Sequence, residues 1–136
     1  MLKFHPAQGT ILICDFKGLI EPEMVKVRPV VVISPKLKQR DNLCSVIPLS
    51  TTKPHKIMPY HYELRDLHLP HPFDKEVCWA KCDMVYTVSF ARLNLFKNGR
   101  GPDGTRKYVQ RSLTAEQIKI LADKILDGLG IRTLVK

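Results

Sequence analysis

Apolar residues come in short β-branched runs separated by polar stretches rich in proline and glycine, and the period changes to a helical one only near the C-terminus. Thr10–Phe16 follows Gly9 as a first strand, and the polar, acidic segment Lys17–Lys26 is a loop long enough to serve a function. Pro29–Ser34 forms a second strand. Proline fixes its own φ and lacks a backbone donor, so it belongs where a strand begins, which leaves Arg28 projecting from the rim of the sheet. The continuous apolar run after Pro29 suits a strand buried on both faces. Lys36–Asn42 is a basic turn region, and Leu43–Leu49 is a third strand ended by Ser50 and Thr51. These three strands are read as successive antiparallel neighbours.

The loop Thr52–Pro59 carries Lys53, His55 and Lys56, and Tyr60–Leu64 alternates well enough for a fourth strand. Pro70 and Pro72 exclude His68–Phe73 from any central strand. In Glu76–Asp83 the two-residue period places Trp79, Lys81 and Asp83 on one face and Cys78, Ala80 and Cys82 on the other. Leu93–Arg111 holds the turn signals Asn98-Gly99 and Asp103-Gly104 and reads as a basic excursion closing on the short strand Tyr108-Val109. Thr114 and Gln117 form a capping box, after which Ile118, Leu121, Ile125 and Leu129 recur on one helical face until Gly130. Short strands of regular spacing with one helix predict a mainly β fold, a small SH3-like barrel covered by a C-terminal amphipathic helix. No repeat or low-complexity tract interrupts residues 1–136, read as a single domain.

Length and charge narrow the partners. A chain of 136 residues can build one core and not two. Its 22 Lys and Arg against 13 Asp and Glu give a formal charge of +9, spread from Lys36 through Arg111 rather than gathered in a tail. Such a surface attracts polyanions, so nucleic acid or an acidic protein is the expected partner, with plain solubility as the simpler use of the same charge. No segment has the apolar length to span a bilayer, and a cytoplasmic protein without membrane contact is expected. Cys14, Cys44, Cys78 and Cys82 lie in apolar strands without a tight framework and read as reduced core thiols. His68, His71, Cys78 and Cys82 offer ligand types for zinc, but their spacing lacks a Cys-x-x-Cys knuckle, so no metal and no cofactor are expected.

The chemistry concentrates in three short motifs. Arg28-Pro29 opens one strand, Pro48-Leu49-Ser50-Thr51-Thr52 closes the next, and Lys81-Cys82-Asp83 closes the fifth. Together with Gly9, Asp15-Phe16 and Glu23 five residues before Arg28, they stand in the order of the PemK/MazF toxins, a family that the chain resembles from Gly9 to the terminal helix. The resemblance implies an SH3-like barrel, usually a homodimer, that cleaves single-stranded RNA at short sequences without a metal and has an antitoxin as partner. It also implies Arg28 as the principal catalytic residue and Ser50 where the family usually has a threonine near the scissile phosphate. Lys81 and Asp83 then occupy the positions of a basic and an acidic residue that some members use. Serine keeps the hydroxyl, whereas lysine in place of arginine loses the bidentate fork and holds phosphate only as a point charge.

The residues support the same chemistry on their own. Metal-free RNA cleavage uses the substrate's 2′-hydroxyl as nucleophile, so the protein must supply a base, an acid for the leaving 5′-oxygen and donors for the charged phosphorane. Arg28 supplies a permanently charged planar donor, and Ser50 and Thr51 supply hydroxyls. Asp83 or Glu23 either accepts the 2′-proton or orients Arg28 through a salt bridge. Thr51, Thr52, Lys53, Tyr60 and Lys81 are the expected RNA contacts, although Tyr60 and Tyr62 suit a half-buried strand equally well. Trp79 reads as a core residue rather than a stacking platform. The plainest alternative makes Ser50–Thr52 a turn whose hydroxyls bond local backbone. The alternative at the level of function is a non-catalytic RNA-binding or topoisomerase-inhibiting module on the same barrel, since one fold hosts several functions.

Overall fold

The computed structural model of the chain describes residues 1–134, the side chain of Asn98 excepted. Among these residues ten strands, with one short 3-10 turn at Phe90–Arg92, precede one α-helix: β1 (Thr10–Asp15), β2 (Val27–Val32), β3 (Leu43–Ser50), β4 (His61–Arg65), β5 (Val77–Lys81), β6 (Tyr86–Ser89), β7 (Leu93–Asn94), β8 (Phe96–Arg100), β9 (Arg106–Val109), β10 (Arg111–Ser112) and α1 (Ala115–Leu129). The sheet runs β10-β1-β2-β3-β5-β4, with β7 added to the outer edge of β1 and β6 to that of β3, while β8 and β9 form a separate hairpin. All pairings are antiparallel. The result is the expected mainly β architecture, a curled SH3-like half-barrel with one C-terminal helix.

The β-branched central strands are buried on both faces because each face has its own core. Leu12, Cys14, Val30, Val32, Cys44 and Val46 point into one, which Phe16, Val88, Phe90 and Leu93 complete. Ile11, Val31, Ile47 and Leu49 point into the other, with Leu64, Cys78, Ala80, Cys82, Phe96 and Leu121. The four cysteines thus divide two and two, and all are buried free thiols. Burial pushes Cys14 and Cys82 up to about 12 and Cys44 to about 11, so none is a ready thiolate.

Helix α1 begins as read: the Thr114 hydroxyl accepts from Gln117 N at 3.1 Å, and the Gln117 amide oxygen accepts from Thr114 N at 2.8 Å. Leu121 is its fully buried anchor, flanked by Ile118 and Ile125, but Leu129 is exposed because the helix outlasts the core beneath it. Two glycines allow the close approach. Gly9 has φ +89°, and a Cβ there would stand 2.4 Å from Ile118 Cδ1. A Cβ on Gly128 would lie 2.8 Å from the Cys82 carbonyl oxygen and the Asp83 Cα, so the end of the helix presses directly on the backbone after β5.

Several elements differ from the reading of the sequence. β2 starts at Val27, not Pro29, because β1 pairs along it through Cys14–Arg28 and Ile13–Pro29; the pairing with β3 is the one that stops short of Pro29. Arg28 therefore lies within a strand. β5 ends at Lys81, where Met84 N donates to the Lys81 carbonyl at 3.0 Å, so Asp83 sits in a turn. Asn98-Gly99 is an irregularity inside β8, and the hairpin turns instead at Asp103-Gly104, held by Gly101 N to Thr105 O at 2.7 Å. Tyr86–Ser89 was not legible as a strand, yet it pairs with β3 from Leu43 to Val46.

Candidate functional site

The sheet register assembles a row of unlike residues where the first core gives out. β2 and β3 pair Val32 with Val46, Val31 with Ile47 and Val30 with Pro48; two places beyond the last of these pairs, and on the same face of each strand, stand Arg28 on β2 and Ser50 on β3. Ser50 is paired with Trp79 on β5, and Trp79 with Glu63 on β4. Directly opposed residues of neighbouring strands point to the same side, with Cβ atoms roughly 5 Å apart. The face that is apolar core at Val30 and Val46 thus continues as Arg28, Ser50, Trp79 and Glu63.

Arg28 is half-buried, and its Nε is a buried donor with no hydrogen-bond partner among the described residues. Nor does any carboxylate among them lie within ion-pair distance of its guanidinium. Glu23, the partner considered from the sequence, instead accepts weakly from Ile20 N at 3.3 Å, so the Arg28–Glu23 salt bridge does not form. The two residues nonetheless line one open groove of about 480 Å³ with Pro22, Met24 and Lys26. Tyr86 fixes that loop, accepting from Met24 N at 2.9 Å while its ring packs on Phe16. An arginine with a sealed, unanswered N–H beside a groove is prepared for an anion that would supply the missing acceptors.

Ser50 is 5% exposed. Its Oγ accepts from Thr52 N at 3.1 Å and donates toward the Thr52 carbonyl at a marginal 3.5 Å. The local turn considered from the sequence is therefore present. Because the second contact is weak, the hydroxyl proton can turn to a better acceptor without breaking the turn. Thr51 is half-buried and Thr52 and Lys53 are exposed beside it.

Lys81 and Asp83 stand at a second corner. Lys81 is paired with His61 across β5 and β4. His61 Nδ1 accepts from Met58 N at 3.0 Å, which leaves the proton of the neutral ring on Nε2. Burial holds this imidazole below its usual range; the Asp83 charge opposes the effect, and Lys81 and Lys124 reinforce it. Lys124 in turn reaches the Pro59 carbonyl at 3.3 Å and lies over the Tyr62 ring. Tyr60 is half-buried against the second core, with its ring edge-on to His61. The sequence singled out neither His61 nor Tyr86. Nothing local marks them, since their roles come from partners on other strands.

Trp79 is a buried hydrophobic residue, as read from the sequence, 5% exposed and outside the two apolar clusters. Cys78 and Cys82 are core thiols, while His68 and His71 are exposed, His71 lying 3.5 Å from Asp74. Among the described residues no three His, Cys, Asp or Glu side chains gather as a metal cluster. No helix among them is long and apolar enough to cross a membrane.

The chain is a small β-protein whose curled half-barrel presents an unsatisfied arginine and a hydroxyl on one face. Comparison makes the class specific: residues 7–125 match the family of PemK-like, MazF-like toxins of type II toxin–antitoxin systems, and the chain belongs to that family. It is 31% identical over 157 aligned positions to the uncharacterized protein YifN of Escherichia coli (strain K12), covering 98% of both chains. Its fold matches that of MazF from Deinococcus radiodurans with a TM-score of 0.63 at 16% identity, over 94% of this chain and 99% of the other. It also matches a mycobacterial endoribonuclease solved with its cognate antitoxin, with a TM-score of 0.61 at 15% identity, over 93% and 97%.

Proposed function

We propose that the protein is an endoribonuclease toxin that cuts single-stranded mRNA at short sequences and leaves a 2′,3′-cyclic phosphate. The observation that carries this reading is the buried, unpartnered Arg28 Nε on the same sheet face as the Ser50 hydroxyl. The substrate's 2′-oxygen bonds to phosphorus while the bond to the 5′-oxygen breaks. Arg28 and Ser50 donate to the phosphorane oxygens, whose negative charge grows in the transition state. A carboxylate, Glu23 or Asp83, takes the 2′-proton, and Lys81 or Ser50 returns one to the leaving 5′-oxygen. Thr51, Thr52, Lys53 and Tyr60 hold the flanking nucleotides.

Family membership supports two protein partners, a cognate antitoxin and a second copy of the chain. An acidic antitoxin segment would complement the +9 charge. Co-purification with the product of the neighbouring open reading frame tests the first, and light scattering of the isolated protein tests the second.

The deciding experiment incubates the protein with a long single-stranded RNA in chelator, beside Arg28→Ala, and maps the fragment ends. Discrete cuts with cyclic-phosphate ends that vanish in Arg28→Ala are expected. Intact RNA with both proteins overturns the reading, and cutting that survives Arg28→Ala overturns the site.

A further inference from the structure

At the end of the central strands opposite Arg28 and Ser50 lies another groove, of about 310 Å³, between the N-terminal segment and the turn that joins β2 to β3. β3 runs from Leu43, the residue after Asn42 in the groove wall, to Ser50, so roughly 24 Å of strand separates the two ends. Lys3, Lys36 and Arg40 line the groove against a single acid, Asp41. No carboxylate among the described residues lies within ion-pair distance of these three cations. The wall is held from behind: Leu2 N donates to the Phe90 carbonyl at 3.2 Å, Phe90 N donates to the Asn42 carbonyl at 2.9 Å, and the His5 ring packs edge-on against Phe90. Phe4 lines both this groove and a neighbouring one of about 220 Å³ that Tyr108 also lines. The Phe4 and Tyr108 rings are 48% and 50% exposed, so each offers an open face.

Exposed aromatic planes set among uncommitted cations are the parts with which proteins hold single-stranded nucleic acid, the cations following the backbone and the rings taking the bases. Arg106 and Lys107, both exposed, precede Tyr108 on β9 and extend the basic surface. An acidic peptide would use the cations and leave both rings without a stacking partner, whereas RNA uses all of these groups. We propose that the two grooves form a second RNA site, remote from the cut, an inference that rests on the ribonuclease reading and deepens it. Lys3, Lys36 and Arg40 meet phosphates, and bases stack on Phe4 and Tyr108. Every base has a face to stack, so this site reads no sequence. The Arg28 end cuts, and the far end adds affinity for any RNA long enough to span both.

The test compares Phe4→Ala and the double variant Lys3→Ala/Arg40→Ala with a control of equal charge, Lys75→Ala/Lys119→Ala, all at exposed positions and all checked for an intact fold by thermal melting. On a long natural RNA, Phe4→Ala raises KM roughly tenfold, the scale of a lost stacking contact, while kcat and the positions of the cuts stay as in the wild type. The binding probe is a fluorescein-labelled 2′-O-methyl dodecamer of mixed sequence, which lacks the nucleophile and stays intact. For it, Lys3→Ala/Arg40→Ala lowers the slope of log K against log salt by about 1.4, the share of two phosphate contacts on a single strand, and the control pair leaves the slope unchanged. If RNA is cut but Phe4→Ala keeps the wild-type KM and the two double variants share one slope, the second site is wrong and the ribonuclease reading stands. Polyglutamate that binds the wild type and loses its affinity in Lys3→Ala/Arg40→Ala, with RNA binding untouched, overturns the proposal in favour of an acidic protein segment. RNA that is bound with the expected dependence yet never cut overturns the ribonuclease reading alone, and RNA neither bound nor cut overturns both.

Discussion

Arg28 combines a cost to the fold with a use. A buried donor left without a partner costs about 1–3 kcal/mol, and here the donor belongs to a charged group. Arg28→Met keeps the length of the side chain and removes the unsatisfied N–H, so the denaturation midpoint should rise by an amount equivalent to about 1–3 kcal/mol while cleavage is lost. A fall in stability would show that the guanidinium is satisfied in solution. His61 carries a pH dependence. The fold favours its neutral form, so its contribution to stability is complete above the unfolded value of 6.5 and is lost as the pH falls below it toward the lower folded value. Thermal melts between pH 7.5 and 5 should decline more steeply for the wild type than for His61→Gln. The placement of Arg28 and Ser50 on neighbouring strands was legible because the motifs around them are local. Trp79 was legible as a buried residue of β5, but that the face it shares ends beside a groove is a property of the tertiary arrangement.

At the scale of elements, the three long strands and the helix were legible because their patterns are local: β-branched runs, a capping box and a 3.6-residue period. β6, β7 and β10 were not. Two- and four-residue strands have no period of their own and exist because β1 and β3 offer free edges to them. The displaced start of β2 has the same origin, since a partner on one side tolerates a proline that the other side would not. The helix allows its supports to be ranked. Thr114→Ala removes the cap and should cost about 1 kcal/mol. Leu121→Ala empties a fully buried position and should cost about 2–5 kcal/mol. Gly128→Ala would gain helix propensity of about 1 kcal/mol, but its methyl would meet backbone rather than a yielding side chain. A net loss of stability is therefore expected, with weakened RNA binding because Lys81 and Asp83 flank the displaced turn. Equilibrium unfolding of the three variants checks the order.

Over the whole molecule the excess of nine positive charges acts on any RNA before contact is made. Affinity should fall steeply with salt, and Lys53→Ala should lower the slope of log K against log salt by about 0.7, the share of one phosphate contact on a single strand. An unchanged slope would place Lys53 away from the RNA path. The division of four thiols between two cores has a different consequence. An alkylating reagent cannot reach Cys14 or Cys44 unless the face holding Phe16 and Phe90 opens, nor Cys78 or Cys82 unless the face under the helix does. The chain thus carries a separate chemical clock for each side of its sheet, and oxidants that act on exposed thiolates find nothing to switch while both faces are closed.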